Sequence, residues 1–72
     1  MKSQFDNYMI KDRSEMAITK FGSIESAISN IRDELAKCNS LWSKYSSDCL
    51  SHAITCNRMM IDYLTALAQS KD

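Results

Sequence analysis

The chain has 72 residues, nine basic and nine acidic side chains, no proline and a single glycine, Gly22. Zero formal net charge leaves no electrostatic footprint for DNA, RNA or an anionic membrane surface. One glycine cannot build a phosphate-binding loop, and almost no turn residues remain for sheets and hairpins, so an all-α fold follows, as one small domain whose core is worth about 3–5 kcal/mol.

The lead-in, residues 1–22, carries Phe5, Tyr8, Met9, Ile10, Met16, Ile18 and Phe21 at irregular spacing around the polar stretch Lys11–Glu15. It reads either as a helix with a weak apolar face or as a segment ordered only on contact. The opening Met1–Asp6 leads into no apolar h-region, so no secretory signal is expected. No run approaches the length of a membrane span. A cytoplasmic location without membrane insertion is the resulting expectation.

Gly22 and Ser23 are the clearest punctuation. Gly22 can end a helix in the left-handed conformation, and Ser23 can cap the next one, with Glu25 at the positive end of its dipole. One long helix running through Gly22, at a cost of about 1 kcal/mol, is the competing reading. From Ile24 the pattern is regular: Ile24, Ala27, Ile28, Ile31, Leu35 and Cys38 share a face at helical spacing. This predicts a helix over 24–38, with Asp33 and Lys37 as a favourable i,i+4 pair worth about 0.2–0.5 kcal/mol.

Residues 39–46 read as a connector, because Asn39 and a run of serines weaken helix propensity. Leu41, Trp42 and Tyr45 make it unusually apolar, which suggests a plug over the open end of two helices. Trp42 reads as a cap on the protein's own small core, or else as an anchor for a partner pocket. The triplet Trp42, Ser43, Lys44 lacks the glycine of small secreted WXG-type hairpins, which also carry tryptophan at their turn.

The last helix is expected over 47–69, antiparallel to the one before it. At 100° per residue its apolar residues fall into two adjacent seams. Leu50, Ile54, Ile61, Leu64 and Ala68 form the first. Cys49, Ala53, Cys56, Met60, Tyr63 and Leu67 form the second. A two-helix hairpin satisfies one seam; the other needs the lead-in, a second copy or a different protein. Asn57 lies inside the stripe, either fixing helix register or turned to the edge with Cys56 inward.

No site chemistry stands out. Cys38, Cys49 and Cys56 are odd in number and match no zinc spacing, so free thiols without metal or cofactor are expected. His52 is the only histidine and has no evident orienting carboxylate, so no enzyme is expected. A helix-turn-helix reader of DNA would need a basic recognition helix, and the last helix has only Arg58 before Lys71.

The pairs Ala53-Ile54, Met60-Ile61 and Tyr63-Leu64 near the chain end, with Ile28, Ile31, Leu35 and Tyr45 earlier, resemble the small helical-hairpin co-chaperones of type III secretion needle subunits. That resemblance implies a hairpin that binds a TPR-like helical chaperone and helps keep a secretion subunit soluble. The expectation is therefore an antiparallel helical hairpin with an added N-terminal helical segment, acting as a non-enzymatic interaction module. Its expected partner-binding surface is Ala53, Cys56, Met60, Tyr63 and Leu67. The alternatives are a homodimeric helical adaptor and a phage-type inhibitor that binds and regulates another protein.

Overall fold

A computed structural model describes residues 9–70. They fold into three helices, α1 (Ile10–Phe21), α2 (Ile24–Tyr45) and α3 (Asp48–Ser70). The fold is all-α, a small bundle in which α2 and α3 form the most extensive pairing and α1 packs on both. The part of the lead-in before residue 9 lies outside the described residues.

The break at Gly22 is real, because both local signals are used. Gly22 sits at φ 92° and donates its N–H to the Ile18 carbonyl at 2.8 Å. The Ser23 hydroxyl accepts from the Ser26 N–H at 3.1 Å. Together they satisfy one carbonyl at the end of α1 and one amide at the start of α2. At the other end of α2 the Ser47 hydroxyl caps α3, accepting from the Leu50 N–H at 3.2 Å.

The expected connector over 39–46 is mostly helix instead: α2 continues to Tyr45 and only Ser46 and Ser47 separate it from α3. No glycine or proline is present to stop α2 after Cys38, and Ser43 within the helix and Ser46 at its C-cap bond their hydroxyls to helix carbonyls. Ser43 Oγ donates to the Ser40 carbonyl at 2.7 Å, and Ser46 Oγ to the Trp42 carbonyl at 2.9 Å. Low propensity is a weak prior that a long antiparallel partner overrides. The Asp33–Lys37 pair also does not close. Both side chains stand on the rim of the cleft beside α1, and among the described residues the ion pair formed is Lys11–Glu15 at 4.0 Å.

The core joins all three helices. Ile10 and Ala17 from α1 cluster with Ile24, Ala27 and Ile31 from α2 and Cys56, Met60 and Leu64 from α3. The small residues Ser14, Ala17 and Ala27 are all buried, so α1 can sit close to the hairpin. Ser14 carries a cost with that fit: it is fully buried and its Oγ has no hydrogen-bond partner. An unpaired buried hydroxyl costs about 1–3 kcal/mol.

Two stability predictions follow from these local features. Ser14→Ala keeps the small volume, removes the unpaired hydroxyl and raises helix propensity, so it should stabilise by about 1 kcal/mol. Urea unfolding followed by far-UV circular dichroism measures this, and a lower midpoint would contradict it. Gly22→Ala should destabilise by about 1 kcal/mol in the same measurement. A Cβ there meets nothing within 4 Å, so the cost is that of the left-handed backbone alone.

Candidate interaction surface

The expected partner-binding residues do not form one open face. Cys56 and Met60 are buried in the three-helix core at 8% and 9% exposure, and Ala53, Tyr63 and Leu67 are half-buried. The second seam of α3 lies on the side where α1 packs, and α1 closes its middle. The first seam behaves in the opposite way. Leu64 is fully buried, but Leu50, Ile54, Ile61 and Ala68 are only half-buried. Of the occupants expected for the second seam, the structure provides the chain's own lead-in: Ile10 and Ala17 cluster with Cys56 and Met60. The bundle centre falls between the two seams, and α1 leans on the second.

Asn57 resolves in the same geometry. Cys56 turns inward, and Asn57, half-buried, approaches Cys38 on α2 with Nδ2 at 3.9 Å from Sγ. This contact pairs the turn around Cys38 with the turn around Asn57 and records the hairpin register.

Among the described residues, three of the five exposed large apolar side chains stand at the tip of the hairpin, while Met9 and Met16 are exposed at α1. Leu41 is 45% exposed, Trp42 39% and Tyr45 67%. Trp42 therefore does not cap a closed core, and the plug expected of Leu41, Trp42 and Tyr45 is instead an open patch. The cause is length. At 1.5 Å per residue, α1 spans roughly 18 Å and α2 and α3 roughly 33–35 Å, so α1 covers about half of the hairpin. Cys49 is exposed at the same end, and Lys44 and Asp48 are the only charges between Cys38 and His52. An apolar patch on the order of a few hundred Å² with little charge is the kind of surface that marks a contact site.

Surface hollows among the described residues border the hairpin. A cleft of about 530 Å³ between α1 and the hairpin has Ala17, Ile31 and Met60 among its lining residues, together with Arg13, Lys20, Asp33, Glu34 and Lys37. A second, of about 590 Å³, lies toward the tip and is lined by Arg13, Glu34, Cys38, His52, Ala53, Cys56 and Asn57. A third, of about 520 Å³, lies on the opposite side of the hairpin, between Ile28 and Ala68. Among the described residues no group of three or more His, Cys, Asp or Glu side chains is placed to hold a metal ion. None of the described helices is long and apolar enough to cross a membrane.

No protein-family profile, curated protein or solved structure matches the chain.

The three cysteines should separate by reactivity. Cys49 is exposed, whereas Cys38 and Cys56 are buried. A thiol reagent should modify one cysteine per chain rapidly in native buffer and all three in denaturant, as read by absorbance and intact mass. Rapid native modification of Cys56 would mean that α1 does not cover the second seam.

Proposed function

We propose that the protein is a non-enzymatic interaction module that docks a helical protein partner through the tip of its α2–α3 hairpin. The observation that carries this reading is the exposure of Leu41, Trp42 and Tyr45 at the end that α1 does not reach. Tryptophan and tyrosine are the residues most often found to dominate binding energy at protein interfaces. The two long helices hold them rigidly, so little ordering cost is left to binding. The near absence of charge at the tip favours an apolar groove on the partner over an acidic or basic one.

The particular form of this reading is a small co-chaperone for a type III secretion needle subunit. The resemblance of the α3 pairs Ala53-Ile54, Met60-Ile61 and Tyr63-Leu64 to that family supports it, and the helical-hairpin architecture is compatible with it. In that form the partner is a TPR-like chaperone whose concave helical surface would take the tip, and the pair would hold the needle subunit soluble.

The test is capture from the native host with the whole chain as bait, followed by mass spectrometry. The wild type should recover a helical chaperone. A Trp42→Ser/Tyr45→Ser variant should bind it at least tenfold more weakly, a loss of about 1.4 kcal/mol or more, with far-UV circular dichroism as the check on folding and Tyr45→Ser alone, at the more exposed residue, as the milder variant. Equal capture by the variant would place the interface elsewhere. Capture of a partner unrelated to secretion would keep the module and remove the co-chaperone form.

A further inference from the structure

The chain enters α1 from the side of the bundle nearer the exposed tip. Gly22 and Ser23 tie the C-terminal end of α1 to the start of α2, so α1 runs back along the hairpin with its N-terminal end toward the tip. The hollows record this direction. Lys20 and Phe21 line a cleft with Asn30 and Ile31, whereas Arg13 also lines the hollow that holds Cys38 and His52. Ile10 lies about one helical turn beyond Arg13. Met9, just before it, has a left-handed backbone at φ 53°, a conformation that residues other than glycine rarely adopt. The incoming chain therefore does not continue the axis of α1.

The tip is within reach of what precedes Met9. From Cys38 to Tyr45 the rise along α2 is about 10 Å. Residues 1–8 lie outside the described residues, and a chain of that length spans up to about 26 Å when extended. Their sequence suits the surface. Met1, Phe5 and Tyr8 are spaced by four and three, the recurrence of one helical face. Phe5 and Tyr8 have the same spacing as Trp42 and Tyr45 at the tip. A segment this short holds no helix by itself in water, so such a face is ordered by contact. Lys2 and Asp6 cancel, as do Lys44 and Asp48, so no excess of like charge opposes that contact.

We infer that residues 1–8 fold back over Leu41, Trp42 and Tyr45 and occupy the tip with Phe5 and Tyr8 when no partner does. The segment is tethered beside its target, so its effective concentration there is on the order of millimolar. Contacts too weak to hold a free peptide then suffice. A partner binds only those molecules whose tip is open, so its apparent affinity falls with that fraction. As regulation of the tip the inference rests on the docking reading; the contact between the segment and Trp42 does not.

Trp42 is the only tryptophan in the chain, so its fluorescence reports the contact in the absence of any partner. The experiment is acrylamide quenching of the whole chain at low micromolar concentration, with far-UV circular dichroism as the check on folding. In Phe5→Ser/Tyr8→Ser the quenching constant should rise by about twofold or more as the covered fraction falls, and emission should move to longer wavelength. Quenching equal to that of the wild type overturns the inference. So does a wild-type constant that changes with protein concentration, because a second copy would then be the cover. Should the variant lose helicity, the wild type decides: a nuclear Overhauser contact between the Phe5 ring and the Trp42 indole supports the inference, and its absence overturns it. A rise in quenching together with equal capture by Trp42→Ser/Tyr45→Ser keeps this contact and removes the docking reading. The reverse result keeps the docking reading and removes this contact.

Discussion

A short helix lying on two long ones is the constraint from which the rest of this structure follows. The α1 helix covers only the half of the hairpin next to Gly22, and the buried residues collect there: Ile10, Ala17, Ile24, Ala27, Ile31, Cys56, Met60 and Leu64. Beyond that half, among the described residues, no third helix packs on the hairpin, and apolar side chains at its tip are exposed. A core confined to half of a small chain has little stability in reserve. The unpaired hydroxyl of Ser14 is therefore a substantial local cost, offset by the close approach that small residues permit between α1 and the hairpin.

The same constraint separates two kinds of surface. One is the side of the hairpin facing away from α1, where apolar side chains are half-buried. The other is a compact end presenting Leu41, Trp42 and Tyr45 with almost no charge. A few large side chains at the tip suit insertion into a pocket, whereas Ile28, Ile61 and Ala68 on the side of the hairpin pack against the chain's own core.

Much of this architecture was legible in the residues. The absence of proline, the lone glycine and the 3–4 spacing from Ile24 onward fix helices and nothing else. Gly22 and Ser23 mark a break whose reality depended on whether the φ 92° backbone and the Ser23 cap were both used, and they are. Residues 39–45 show the limit of local propensity. Serine and asparagine lower helix preference by tenths of a kcal/mol each, and packing of a long antiparallel partner outweighs that sum. The working surface was legible only in part. Two apolar seams on α3 were evident, but periodicity gives the angle between seams and not the direction from which a third helix arrives.

By itself, then, the sequence determined an all-helical chain, the places where α2 and α3 start, and the width of the apolar face on α3. These are local properties, set by backbone chemistry and side-chain spacing. Only the tertiary structure decided that α1 leans on Cys56 and Met60 and leaves Ile54 and Ile61 half-buried, and that Trp42 is partly exposed. The reason is that small residues such as Ser14, Ala17 and Ala27 carry no strong periodic signal, yet their size decides where helices can meet closely. The length of α1 then decides how far along the hairpin that meeting extends.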